Sequence, residues 1–180
     1  MAILIPAWID GDLQPVEKLD VHLRGLRHKA VSVFLTDGPH ILLQRRALEK
    51  YHTPGLWANT CCTHPHWDEE PLTCAKRRLT EELGILAPQL TAAKEVEYRA
   101  DVGNGLVEHE LVTIYVGSIS ASTPIHPAPD EVKETRWATV PQLLKEIALE
   151  PDRFTPWLRI YMAQYCDDIF SVAPQLAQSQ

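Results

Sequence analysis

The segment DEEPLTCAKRRLTEELGI, residues 68–85, constrains the fold more than any other part of the chain. Its apolar residues recur at helical spacing, Pro71 falls in the first turn, and Gly84 follows as a C-cap. The residues predicted to share its buried face are Leu72, Ala75, Leu79 and Leu83. Because strand patterns lie on both sides of this helix, we expect a mixed α/β chain.

Two pairs of strand patterns predict β-hairpins. KAVSVFLT and PHILLQRR are separated by the turn signal Asp37-Gly38, and AAKEVEYRA and GLVEHELVTIYVGSI are joined through DVGNG. Further strands are expected around residues 56–62 and over EVKETRWATV. These patterns predict a sheet in which antiparallel hairpins are common.

Helices are predicted near the C-terminus. PQLLKEIALE reads as one, and FTPWLRIYMAQYCDDIF as another with Thr155 as N-cap and Pro156 at the first helical position. We therefore expect an α/β (α+β) fold, a mixed sheet with antiparallel hairpins flanked by helices. A single domain is expected to span residues 1–180.

Composition excludes some partners. The chain is 45% hydrophobic and 23% charged, with no apolar run long enough to span a bilayer. The opening MAILIPAWIDGD lacks the basic region of a signal peptide, so we expect a cytoplasmic protein without a membrane partner. The net charge of −7 argues against a nucleic acid, which requires a basic face.

The stretch NTCCTHPHW contains two of the four cysteines, which are Cys61, Cys62, Cys74 and Cys166. No C-x-x-C spacing occurs, so the usual zinc-finger patterns are absent. In a cytoplasmic chain these cysteines are expected to be free thiols. In a strand, the adjacent Cys61 and Cys62 would face opposite sides.

Local basic clusters stand out against the acidic background. QRRALEK and KRRL are two of them, and Lys18, Arg24 and Arg27 form a looser third group. Such clusters suit a small anionic ligand such as a phosphate, although composition alone favours an ordinary solvated surface.

The strand pattern VEHEL places Glu108 and Glu110 on one face. A cation between two such carboxylates would relieve their repulsion, and the alternative is an exposed face of an edge strand. His22, His28 and His64, from separated segments, could complete a site for zinc, manganese or magnesium.

The helix RRLTEELGI resembles the conserved box of the Nudix superfamily, which binds a metal–diphosphate. Glu69, Arg77, Glu81 and Glu82 match the box positions. Two positions depart from it: Thr63 replaces the opening glycine, and Arg78 replaces an acidic metal ligand. The second change favours binding a diphosphate without cleaving it.

Six motifs in order resemble the type I isopentenyl diphosphate isomerases, a family with a Nudix-like fold. These motifs, between about residues 18 and 157, are RRALEK, PGLWANTCCTHP, RRLTEELG, YRA, GLVEHEL and FTPW. The resemblance implies interconversion of isopentenyl and dimethylallyl diphosphate in isoprenoid biosynthesis, with a small prenyl diphosphate as substrate. It is compatible with a monomer or a weak homodimer.

The resemblance also implies roles for individual residues. The acid/base pair would be Cys62 and Glu110, with Tyr98 and Trp157 lining the pocket. The ligands of one divalent metal, Mn²⁺, Mg²⁺ or Zn²⁺, would be His22, His28, His64, Glu108 and Glu110. Mg²⁺ bound with the substrate diphosphate would be held by Glu82. The diphosphate contacts would be Lys18, Arg46, Lys50 and Arg78.

Two other functions remain open at the level of the sequence. One is a Nudix-type hydrolase that cleaves a nucleoside diphosphate derivative. The other is a non-catalytic module that binds a metal or senses a diphosphate. Release of phosphate without isomerisation would identify the first, and bound ligand without turnover would identify the second.

Overall fold

The computed structural model describes residues 2–173. Its strands are β1 (Leu4–Ile9), β2 (Asp12–Glu17), β3 (His28–Asp37), β4 (His40–Arg46), β5 (Trp57–Ala58), β6 (Cys61–Thr63), β7 (Thr91–Gly103), β8 (Leu106–Ser118) and β9 (Val132–Thr139). Its helices are α1 (Lys18–Arg24), α2 (Pro71–Leu83), α3 (Val140–Leu149), α4 (Pro156–Gln164) and α5 (Cys166–Phe170). Residue 1 and residues 174–180 of the predicted domain lie outside the described part of the chain.

Strand β3 organises the sheet. One edge pairs in parallel with β8, from His28 opposite Glu110 to Thr36 opposite Ser118. The other edge pairs antiparallel with β1 at its start, β6 in its middle and β4 at its end. Strand β7 continues the sheet beyond β8, and β9 lies beside β4. The predicted mixed sheet with antiparallel hairpins is confirmed.

Helices cover both faces of the sheet because β3 is apolar on both. Val33 and Leu35 belong to a core cluster with Leu79 and Leu83 of α2. Phe34, between them, belongs to a second cluster with the residues of α4 and α5. Alternation along one buried strand thus assigns α2 to one face and the C-terminal helices to the other.

The predicted elements occur with small differences in their bounds. The first hairpin turns at Gly38-Pro39, one residue later than predicted, because Asp37 pairs with His40 and Gly38 adopts a positive φ of 52°. Leu72 is 37% exposed, so the prediction that it lies on the buried face of α2 is wrong. The last predicted helix is divided into α4 and α5 at Tyr165.

The sequence analysis missed the hairpin formed by β1 and β2 and the short helix α1. The signal was present at Asp10-Gly11, where both residues have positive φ and form the turn. The hairpin and α1 share a small buried core, which consists of Ile5, Ala7, Val16 and Val21. This N-terminal unit carries Lys18 and His22 toward the rest of the sheet.

Within residues 2–173, no helix combines the length and apolar character needed to cross a bilayer.

Candidate active site

The two glutamates of β8 lie on its buried face. Glu108 is 2% exposed and Glu110 is 7% exposed, whereas Val107 and His109 on the other face are half-buried. Strand β8 lies between β3 and β7, so it is not an edge strand. The alternative of an exposed polar face is therefore wrong, and two adjacent buried carboxylates require compensation.

Histidines from three elements supply that compensation. His22 lies on α1, His28 begins β3, and His64 directly follows β6. Their Nε2 atoms lie 3.1, 3.3 and 3.8 Å from Glu108 Oε2, respectively. His64 Nε2 is also 2.9 Å from Glu110 Oε1. One ligand atom each from the three histidines and Glu108 lies within 4.8 Å of the others, an arrangement that could hold a metal ion.

The second nitrogen of two of these rings fixes their orientation. His22 Nδ1 contacts the carbonyl oxygen of Lys18 at 2.5 Å, and His28 Nδ1 contacts that of Leu26 at 2.8 Å. A carbonyl only accepts, so the proton is on Nδ1 and the Nε2 lone pair is free to bind a metal.

The cluster fits a metal because its central atoms lack other partners. His22 Nε2 and Glu108 Oε2 are buried and close together, yet neither has a hydrogen-bond partner among residues 2–173. Burial of a polar atom without a partner is costly, and metal coordination removes that cost. Burial alone would raise the pKa of Glu108, but the surrounding histidines together hold it well below its usual range.

His52 also lies beside this cluster, although the sequence analysis did not identify it. Its Nε2 lies 3.2 Å from Glu108 Oε1, whereas the other three histidines make their closest contact with Glu108 at Oε2. The side chain is 5% exposed, and burial lowers the pKa of His52 to about 4. No pattern in the sequence predicts this position for His52, because only the turn before β5 brings the side chain to the site.

Glu110 has a second donor on its other oxygen. The Tyr98 hydroxyl of β7 donates to Glu110 Oε2 at 2.6 Å, since these two residues are directly opposite in the β7–β8 pair. Burial and the nearby carboxylate raise the pKa of Tyr98 well above its ordinary value. The phenol therefore keeps its proton and remains a donor across the working pH range.

The thiol of Cys62 lies among polar partners on the opposite side of β3. It donates to Asn59 Oδ1 at 2.8 Å and lies 3.2 Å from Ser32 Oγ. Burial raises the pKa of Cys62 to about 12, so the thiol is protonated at neutral pH. Its neighbour Cys61 is fully buried beneath α2, on the opposite side of the strand as predicted. All four cysteines are free thiols.

One cleft joins these groups. Cys62 and Glu110 both line it, together with Glu108, His64 and Trp157. Trp157, at the start of α4, is 3% exposed and forms part of the wall. Tyr98 does not line the cleft, but its hydroxyl donates a hydrogen bond to Glu110, which does.

The mouth of the cleft is cationic. The four predicted diphosphate contacts all line it, namely Lys18, Arg46, Lys50 and Arg78. Lys50 forms an ion pair with Glu131 at 2.5 Å, and Arg78 reaches the same carboxylate at 3.2 Å. Burial and the nearby Lys50 lower the pKa of Lys18. Glu131 was not identified from the sequence, because it lies in the proline-rich loop before β9.

Glu82 lies beside these cations at the base of the mouth. It is 3% exposed and accepts from Arg78 Nη2 at 2.6 Å and from Gln44 Nε2 at 3.1 Å. The ion pair between Arg78 and Glu82 is therefore largely buried rather than a surface pair. Thr63, which replaces the Nudix glycine, lies in extended strand β6 opposite Val31, where a side chain is accommodated without strain.

Comparisons with known proteins show the family of the chain. The profile described as NUDIX domain matches residues 26–158. The isopentenyl-diphosphate Delta-isomerase of Cereibacter sphaeroides strain KD131 is 58% identical over 170 residues, which cover 94% of this chain and 96% of that protein. The isopentenyl-diphosphate Delta-isomerase of Dinoroseobacter shibae is 57% identical, with 94% and 97% covered.

The chain belongs to the isopentenyl-diphosphate Delta-isomerases.

Solved structures support the Nudix fold of this isomerase family member. The Deinococcus radiodurans protein DR0079 matches with a TM-score of 0.70 at 14% identity, covering 90% of this chain and 98% of that one. A MutT NUDIX hydrolase from Burkholderia pseudomallei matches with a TM-score of 0.61 at 23% identity, covering 77% and 98%. At these identities the likeness concerns the fold alone, so the hydrolase alternative is not favoured.

Proposed function

We propose that this isomerase interconverts isopentenyl and dimethylallyl diphosphate, with Cys62 and Glu110 as its acid/base pair. The observation that carries the proposal is that these two groups, from different strands, line one cleft with a cationic mouth. A hydrolase needs no such pair at the inner end of the cleft. An isomerase that moves a double bond needs two proton-transfer groups.

The cationic mouth would bind the diphosphate. Guanidinium and ammonium groups form strong charge-assisted hydrogen bonds with phosphate oxygens. Glu131 pairs with Lys50 and Arg78 in the structure, and the diphosphate would compete with it for these cations. Mg²⁺ held by Glu82 together with the diphosphate would neutralise the remaining negative charge.

The five-carbon chain would then extend toward Trp157, between Cys62 and Glu110. Adding a proton to the terminal carbon of the alkene leaves a positive charge on the branched carbon. Removing a proton from the carbon on its other side restores a double bond one position along. Because the reaction is reversible, each of the two groups is the acid in one direction and the base in the other.

The surroundings of the pair suit this chemistry. The thiol of Cys62 carries its proton at neutral pH because burial raises its pKa to about 12. Tyr98 and His64 orient the two oxygens of Glu110. The indole of Trp157 can stabilise the carbocation by about 2 kcal/mol through its ring face when water is excluded.

The His/Glu cluster would hold a second divalent ion, Mn²⁺, Mg²⁺ or Zn²⁺. His22, His28, His64, Glu108 and Glu110 are the residues that would bind it. Such an ion would neutralise the two buried carboxylates and fix the Glu110 carboxyl in place.

A product assay tests the proposal. The protein is incubated with isopentenyl diphosphate and, separately, with a nucleoside diphosphate derivative, while proton NMR follows the alkene and a colorimetric assay follows phosphate. We expect dimethylallyl diphosphate to form without phosphate release. Phosphate release without the isomerised alkene would contradict the proposal and favour a hydrolase.

A further inference from the structure

The environment of Glu108 divides its two oxygens between different partners. Oε2 faces the Nε2 atoms of His22 and His28 at 3.1 and 3.3 Å. Oε1 faces His52 Nε2 at 3.2 Å. His52 is not part of the group of ligand atoms that lie within 4.8 Å of one another. Its position therefore differs from that of the three clustered histidines.

The chemistry of the contact determines which nitrogen of His52 carries a proton. An ionised carboxylate only accepts hydrogen bonds, so the Nε2 that faces Glu108 is the protonated nitrogen. Thr53 Oγ1 lies 3.1 Å from His52 Nδ1, and its hydroxyl can donate to that nitrogen. Thr53 thus supports the tautomer that donates to Glu108.

The turn that presents His52 is rigidly held. Thr53 is a β-branched residue with a positive φ of 45°, a strained conformation that persists only where its surroundings impose it. Arg46 donates to the carbonyl oxygens of both His52 and Thr53 at 3.2 Å. The imidazole also packs edge-on against Trp157, with a centroid distance of 6.1 Å.

We propose that His52 is a positioning residue that holds Glu108 Oε1 and thereby keeps Oε2 turned toward the three histidines of the metal site. His52 does not bind the ion. It restricts Glu108 to one orientation and one ligand oxygen, which strengthens the site for a divalent cation. Partners of this kind typically change metal affinity by about 10- to 100-fold.

The inference rests on the proposed function only in treating the His/Glu cluster as a metal site. Metal affinity and turnover are measured separately, so each claim can fail alone. If the wild-type protein binds the ion but does not isomerise the substrate, the proposed function fails. If the variants below bind the ion as the wild type does, the role of His52 fails.

The test uses the full chain stripped of metal and titrated with Co²⁺ against a chromophoric chelator, with the visible spectrum of bound Co²⁺ as a second readout. His52→Phe keeps a flat ring against Trp157 but removes the donor. We expect it to bind Co²⁺ at least about 10-fold more weakly and to change the Co²⁺ spectrum. His52→Gln, whose amide nitrogen can donate to Glu108, should restore the affinity and spectrum.

A matched control is His40→Gln, at an exposed histidine in the first hairpin, which should bind Co²⁺ as the wild type does. Wild-type affinity in His52→Phe would overturn the inference. Equal losses in His52→Phe and His52→Gln would also overturn it, because they would show that a donor to Glu108 at this position does not strengthen the site. If His52→Phe does not fold, Thr53→Val replaces it: several-fold weaker binding supports the inference, and unchanged binding overturns it.

Discussion

Ser32 links the Cys62 thiol to the core of the protein. Its Oγ lies 3.2 Å from Cys62 Sγ and 3.0 Å from the Tyr161 hydroxyl. Tyr161 is fully buried and its pKa is raised well above the ordinary value by that burial, so it keeps its proton and can donate to Ser32. Ser32 is then free to donate to sulfur. The hydrogen bond from Ser32 partly offsets the burial that raises the Cys62 pKa.

We predict that Ser32→Ala makes the Cys62 thiolate harder to form. The substitution removes one donor to sulfur, so the pKa of Cys62 should rise further. Its alkylation by iodoacetamide at pH 8 to 9 should slow by roughly 3- to 10-fold, which corresponds to a lost hydrogen bond of about 1 kcal/mol. Mass spectrometry of the Cys62 peptide measures the rate.

Cys166, which is remote in sequence and half-buried, provides the internal reference in the same digest. Its alkylation rate should be the same in the variant and the wild type. A Cys62 rate that is unchanged or faster in Ser32→Ala would show that the serine does not stabilise the thiolate.

At the residue scale, alternation along a strand was the most informative sequence signal. It correctly placed Glu108 and Glu110 on one face and Cys61 and Cys62 on opposite faces, because side-chain direction in a strand follows directly from position. His52 could not be found in this way. Its place depends on a strained turn and on packing against Trp157, which no local pattern encodes.

At the scale of elements, an ion pair connects the segment just before α2 to the middle of that helix. Glu69 accepts from Arg77 Nε and Nη2, both at 2.7 Å, and from the backbone N–H of His66 at 3.0 Å. The hydrogen bonds from Arg77 are the main cause of the lowered pKa of Glu69, about 2. Glu69, which matches a position of the Nudix box, therefore makes a contact that stabilises the fold in this structure.

The ion pair predicts a pH-dependent contribution to stability. Because the pKa of Glu69 is lower in the folded state, the contribution is full above about pH 4.5 and is lost as the pH falls toward 2. Glu69→Gln should lower the free energy of unfolding by about 1 kcal/mol at pH 7, after allowance for solvent screening, and by much less near pH 2. Urea unfolding followed by circular dichroism between pH 2 and 7 measures the difference.

Glu70→Gln is the matched control, because Glu70 is exposed and its side chain makes no cap hydrogen bond. Its unfolding free energy should stay within about 0.5 kcal/mol of the wild type. A Glu69→Gln curve that runs parallel to the wild type over the whole pH range would disprove the linkage.

Most elements could be predicted from the sequence, since their periodicity and caps are local. The α2 helix ends at Gly84 in a left-handed C-cap, and Thr139 begins α3 with a capping box. The order of strands could not be predicted. The parallel pairing of β3 with β8 depends on contacts more than 70 residues apart in sequence, which place His28 opposite Glu110.

At the scale of the whole molecule, the site is larger than the Nudix domain. The Nudix profile begins at residue 26, but His22 and Lys18 come from α1, before that point. The N-terminal unit therefore contributes one histidine to the His/Glu cluster and one lysine to the cations that line the cleft. Val21, which is fully buried, packs α1 against the hairpin of β1 and β2, so the fold of this unit positions His22 and Lys18.

Metal binding should consequently stabilise the whole fold. A free ion concentration 100 times its dissociation constant contributes about 2.7 kcal/mol, which corresponds to a rise in Tm of about 5–10 °C for a chain of this size. We expect the chelator-treated protein to gain this increment when Mn²⁺ or Zn²⁺ is added back, as measured by differential scanning calorimetry. His22→Ala should lose most of the increment, and a Tm independent of metal in the wild type would refute the site.

The most direct test of the whole account is isomerisation in heavy water. With isopentenyl diphosphate as substrate, we predict that proton NMR detects dimethylallyl diphosphate carrying deuterium from solvent for the wild type. Cys62→Ser and Glu110→Gln should form none, while each keeps the circular dichroism spectrum of the folded protein. Wild-type turnover in either variant, or isomerisation without deuterium uptake, would contradict the claim that these two groups exchange protons with the substrate across one cleft.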